Sequence, residues 1–258
     1  MGLFDLASPL LTWIDGAMVG WLPSTIRLLF WALVTGFVSM LLYRLTSNQK
    51  RLGEIKGEMA ALRKQISEFD GPMSEMWSLT GRNLTLALRQ LWVTLLPALL
   101  ASIPVIFLLV WVSNTFGTIM PQPGAKIAVE ALASHKQSLP QLHWKGGEAQ
   151  VEGDDRWIVA WPGPDATMKL SNVDDEALIS LPTAAPVGIV HQRRWWNALL
   201  GNPAGYLPSP GPVDTVLIGV PAQEFLPFGP AWLRGWMPLF FTVVIAVSLL
   251  LKVIWRIH

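Results

Sequence analysis

Five side chains at four-residue steps, Arg27, Trp31, Thr35, Ser39 and Tyr43, form one gently drifting ridge on a helix that is otherwise apolar. A guanidinium, an indole, two hydroxyls and a phenol can attract a carboxylate or hydrogen-bond a peptide group. The Thr and Ser hydroxyls have an alternative use: in membrane helices they bond back to the carbonyl four residues earlier or pack against another helix. Arg44 follows the ridge directly and Arg89 opens the next apolar run. Each either offers positive charge to a polar ligand or anchors a membrane helix, with its stem along the lipid and its head in water. Bond-breaking chemistry has no comparable set. His135 and His143 are eight residues apart with Asp154 and Asp155 downstream, a spacing that fits no helical or turn-built metal site, and His191 has no evident nucleophile beside it. There is no phosphate loop and no dinucleotide glycine pattern. Neither enzymatic activity nor a cofactor or metal is expected. Basic residues interleaved with acids, without an aromatic platform, exclude a nucleic-acid reading.

The elements that must position the ridge follow from composition. Of 258 residues 52% are hydrophobic and only 14% charged, and the mean hydropathy is +0.40, too apolar for an ordinary soluble domain. Three runs approach the roughly 20 residues that cross about 30 Å of hydrocarbon: 21–43, 91–113 and 236–254. Residues 1–20 carry Asp5 and Asp15 and no basic stretch, so a cleaved signal peptide is not expected. Residues 44–89 hold eight Lys/Arg against five acids, whereas residues 115–235 spread eight basic residues among eleven acids. The positive-inside rule puts the 44–90 loop in the cytoplasm, with residues 1–20 as an interfacial segment outside, residues 114–235 outside and the tail, 255–258, inside. No cysteine is present, which removes disulfides and thiolate metal sites.

Between the first two spans the sequence turns heptad. Leu45, Leu52, Met59 and Ile66 recur at one position and Ile55, Leu62 and Phe69 at the other, with Asn48 the polar exception. At about 1.5 Å per residue such a helix would project about 40 Å, and Gly71 and Pro72 stop it. A second helical stretch with Met73, Met76, Leu79, Leu84, Leu88 and Leu91 on roughly one side leads back to the second span. Two arrangements satisfy the seam: a hairpin with the return helix of the same chain, or a parallel dimer.

The segment "LYRLTSNQ", residues 42–49, resembles the Tyr-x-Leu-Thr-x-x-Gln segment at the cytoplasmic end of the first core helix in the YidC/Oxa/Alb3 membrane insertases, followed as there by a basic heptad region. The order of spans is similar to the three-helix archaeal and endoplasmic-reticulum relatives. The likeness covers residues 21–113 and, more loosely, 232–258. It implies a membrane α-helical fold with a cytoplasmic coiled-coil hairpin. It also implies an insertase or insertion chaperone in a bacterial inner membrane, acting on nascent membrane proteins through a hydrophilic groove open to the lipid bilayer. Arg44, Ser39, Thr35, Tyr43, Arg27 and Arg89 are the candidates for lining that groove. Where bacterial members carry an Arg one turn before the Tyr, this chain has Ser39, so Arg44 is the first choice for the groove charge.

Residues 114–235 have no counterpart in that family and read as an inserted β-rich domain. "RWIVAW" puts Trp157, Val159 and Trp161 on one face, "TMKL" and "ALISL" follow and "DTVLIGV" comes late, which predicts a small sandwich or open barrel over 142–225. Within it Arg193, Arg194, Trp195 and Trp196 combine charge with amphipathic rings, suited to lipid headgroups or an envelope protein partner. The rival to the insertase is a membrane-anchored assembly protein using that surface, with the heptads as a dimerisation stalk.

Overall fold

The computed structural model describes residues 2–133, 139, 141–153 and 155–256, and of Gln49 the backbone alone. Three of its helices are long and apolar enough to cross a membrane. In chain order the helices are α1 (Ser8–Val19), α2 (Ser24–Thr46), α3 (Gln49–Ser67), α4 (Met73–Phe116), α5 (Ala231–Arg234) and α6 (Trp236–Ile254). Between α4 and α5 run β1 (Lys126–Ala133), β2 (His143–Lys145), β3 (Ala149–Gly153), β4 (Arg156–Ala160), β5 (Met168–Ser171), β6 (Ala177–Leu181), β7 (Ile189–His191) and β8 (Val213–Ile218). The chain divides into two compact units, Met1–Leu28 with Leu109–Leu239 and Leu29–Leu108 with Phe240–His258.

The second unit is helical. α2 does not continue into α3: it ends at Thr46, and Asn48 caps the next helix by accepting the Arg51 backbone N–H at 3.0 Å. The polar residue in the heptad count is therefore an N-cap, a role that suits Asn because its side chain satisfies a backbone donor at a helix start. The break also removes Leu45 from the seam, contrary to expectation. Leu45 is 72% exposed, because a register counted through two non-helical residues no longer predicts the face. Beyond the break Ile55, Met59 and Leu62 of α3 share a buried cluster with Leu86 of α4, and Ile66, Leu79, Ala87 and Val93 pack against it. Leu52 is also buried, and Phe69 is half-buried beside Gly71.

Helices α2 and α6 approach closely at Gly36, where a Cβ would lie 3.0 Å from Val247 Cβ and 3.2 Å from the Val244 carbonyl oxygen. A small residue lets two apolar helices pack backbone to side chain where no hydrophobic drive separates protein from lipid. α4 runs unbroken through Pro97 and Pro104.

In the first unit the strands form two antiparallel sheets, ordered β3-β4-β1-β8-β7 and β2-β5-β6. Trp157 and Val159 of β4, with Trp161 just beyond it, point into a core shared with Val129 of β1, Leu170 of β5, Leu181 of β6 and Val216 of β8. That core joins the two sheets and fits the alternation of "RWIVAW". The region begins sixteen residues before the expected Leu142, because the central strand is β1. Its sequence, "KIAVEALA", buries Ile127, Val129 and Ala131 by alternation, yet Ala, Lys and Glu are poor strand formers. Pairing on both sides with β4 and β8 overrides that preference.

Candidate functional site

The ridge on α2 is divided between the units. Arg27, in the first, is committed: its Nε donates to Asp15 Oδ1 at 3.0 Å and its Nη2 to Asp15 Oδ2. Both side chains are largely buried, at 13% and 5% exposure. The guanidinium also lies 5.4 Å from the centroid of the Phe116 ring. The sequence read Asp15 only as part of an interfacial segment; the structure folds the turn 20–23 so that α1 carries it back onto α2.

In the helical unit, Trp31 and Thr35 are buried, and the Thr35 hydroxyl donates to the Trp31 carbonyl at 2.7 Å. That is the back-bonded arrangement, which leaves the hydroxyl's lone pairs as its remaining capacity. Ser39 and Tyr43 are half-buried. Four residues on, Ser47 continues the same ridge, its N–H bonded to the Tyr43 carbonyl at 2.9 Å. Its hydroxyl is buried without a hydrogen-bond partner among the described residues, a cost that a bound polar group or water would relieve. Sequence reasoning passed over Ser47 because it sits in the unrecognised break.

Arg44 is exposed, with its guanidinium 5.3 Å above the Trp255 ring. Trp255 also meets Phe37 edge-on at 5.8 Å, so the residue after α6 holds one face of the cation. A guanidinium on an indole keeps its N–H edges for a carboxylate. Arg89 is exposed as well and lines a cleft of about 270 Å³ with Asn48, Lys50, Arg51, Glu54 and Glu58. The cleft lies between the start of α3 and the return helix and mixes both signs of charge.

In the β-rich unit the four external-interface candidates separate. Trp195 is 85% exposed; Trp196 is half-buried and lies tilted against His191, ring centroids 4.9 Å apart. Arg194 Nη2 reaches both oxygens of Asp214 at 2.9 and 2.8 Å. Arg193 is exposed 6.0 Å from the Tyr206 centroid. Asn197 fixes this turn by accepting the Arg194 N–H at 2.7 Å and donating to the Leu200 carbonyl at 3.0 Å. Arg193 and Trp195 therefore remain for a ligand, while Arg194 and Trp196 hold the loop.

His135 and Asp154 lie outside the described residues. His143 instead meets Asp175, Nε2 to Oδ1 at 3.1 Å, with Lys145 Nζ at 2.5 Å from the same oxygen. Lys145 first, then His143, holds the Asp175 carboxyl below its ordinary range by hydrogen bonding and charge. Among the described residues no group of three metal-ligating side chains gathers.

Comparison with protein-family models, with curated proteins and with solved structures finds no match to this chain.

Proposed function

We propose that the chain is a YidC/Oxa-like insertase or insertion chaperone of a bacterial inner membrane, with α2, α4 and α6 as its spans, residues 1–20 and the β-rich region outside and the α3 arm in the cytoplasm. The observation that carries the reading is the cluster of Ile55, Met59, Leu62 and Leu86, in which α3 packs on α4 of its own chain. A seam already filled within one chain supports a hairpin arm between two spans, and Met73, Trp77, Leu84 and Leu88 of α4 stay exposed outside that seam. At the foot of the arm Ser39 and Tyr43 follow one another on α2 and Ser47 comes just past its end, with Arg44 beside them over Trp255. A nascent helix's polar flank entering there would meet hydroxyls and a cation. In a partly desolvated setting that cation attracts a carboxylate several times more strongly than in bulk water.

A second reading, a membrane-anchored envelope assembly protein, draws on Trp195 and Arg193, which are exposed on the β-rich unit. The two are separated by photo-crosslinking. A benzophenone amino acid in place of Ser39 or Tyr43 should capture a ribosome-stalled nascent membrane segment. Capture from the Trp195 position alone, with an envelope protein as the product, would favour the assembly reading.

A further inference from the structure

α1 is amphipathic the wrong way round for water. At about 100° per residue, Ser8, Thr12 and Asp15 fall within one arc of about 60°, and Leu10 and Trp13 within another centred about 160° away, with Leu6 in the turn just before the helix. In the polar arc Asp15 is buried and Ser8 half-buried, while Thr12 is exposed and hydrogen-bonded. Asp15 is paired with Arg27 near the start of α2, and the Thr12 hydroxyl accepts the Trp111 Nε1–H near the end of α4 at 2.9 Å. Ser8 and Thr12 line a cavity of about 470 Å³ with Asp5, Asn114 and Tyr206. The apolar arc and Leu6 face outward: Leu6, Leu10 and Trp13 are 64%, 61% and 76% exposed. A helix on the surface of a soluble domain shows the reverse polarity.

We propose that the outward stripe of α1 is covered by lipid, so that α1 lies in the bilayer leaflet at the Arg27 end of α2 and shields the polar cavity behind it from hydrocarbon. Two features name lipid as the occupant. α1 ends four residues before α2 begins, and α2 is one of the membrane-length helices; a linker of four residues reaches at most about 14 Å. The Asp15–Arg27 and Thr12–Trp111 contacts then pin α1 to the ends of two such helices, which holds it at the membrane surface. Trp21, in that linker, is also exposed, and indole rings favour the headgroup level. The proposal needs α2 and α4 to cross a membrane and does not depend on insertase activity.

The chain has no cysteine, so single cysteines report cleanly. The full chain in phospholipid vesicles, with an environment-sensitive fluorophore on a cysteine replacing Leu6, Leu10, Trp13, Ser8 or the exposed Val173, is quenched in turn by nitroxide-labelled phospholipid and by aqueous iodide. Positions 6, 10 and 13 should lose most of their emission to the lipid nitroxide and little to iodide, and Val173 the reverse. Position 8, half-buried, should be several-fold less quenched by the lipid probe than 10 and 13. Iodide quenching at 6, 10 and 13 equal to that at 173 would overturn the proposal. Protection of those positions from both quenchers would do the same, since it would mean that protein covers the stripe. Leu6, Leu10 and Trp13 are surface positions, so each variant should fold, and agreement among three independent sites guards against the failure of one.

Discussion

The Asp15–Arg27 pair lets a stability argument be worked from the geometry. Replacing Arg27 with Met keeps much of the stem but removes the cation paired with the Asp15 carboxylate, whose side chain is only 5% exposed. Breaking a buried pair in this way costs about 3–5 kcal/mol. Loss of the guanidinium from the Phe116 face contributes about 0.5–2 kcal/mol more. For a chain of this size each kcal/mol moves the unfolding midpoint by about 2–4 °C, so Arg27→Met should lower it by about 7–28 °C. The double variant Arg27→Met with Asp15→Leu removes both charges and should recover most of the loss, because the desolvation cost of the pair disappears with it. The assay is thermal unfolding of the full chain in detergent, followed by near-ultraviolet circular dichroism, for the wild type, both single variants and the double variant. A double variant that falls as far as the sum of the singles would refute the pairing, since coupled groups must show a non-additive cycle.

Three further outcomes follow from other contacts. Cysteines replacing Ile55 and Leu86 should be joined by a short bismaleimide within a single chain, and a product of twice the chain mass alone would contradict the packing of α3 on α4. Gly36→Val should weaken the α2–α6 contact by about 1–3 kcal/mol, seen as a lower unfolding midpoint in detergent, because the new Cβ meets Val247 at 3.0 Å; an unchanged midpoint would mean the helices can separate freely. In sealed inverted and right-side-out vesicles, cysteines replacing Val173 and Ser67 should react with an impermeant maleimide from opposite sides, and labelling of both from one side would overturn the proposed orientation.

What could be read from the sequence depended on whether a local pattern carried the answer. The three apolar helices were legible because length and hydropathy are local properties, and β4 because Trp157, Val159 and Trp161 alternate strictly. β1 was not, since the helix-favouring residues of "KIAVEALA" are held as a strand by partners on both sides. The heptads of α3 predicted Ile55, Met59 and Leu62 in the seam. They failed at Leu45, because nothing in a seven-residue count marks the two-residue break that Asn48 caps. The Arg27–Asp15 pair and the Arg44–Trp255 contact join residues 12 and 211 positions apart, and only the fold brings such residues together.

The central claim is that the chain moves a polar flank of a membrane segment across a bilayer. Its most direct test supplies a short single-span substrate from in vitro translation to liposomes containing the purified protein, and measures protease protection of the substrate's translocated tail. The account predicts protection well above that in protein-free liposomes. With acidic-tail substrates protection should fall in Arg44→Glu and persist in Arg44→Lys, and neutral-tail substrates should be spared in both variants. Protection no greater than in protein-free liposomes, with the protein folded and correctly oriented, would contradict it.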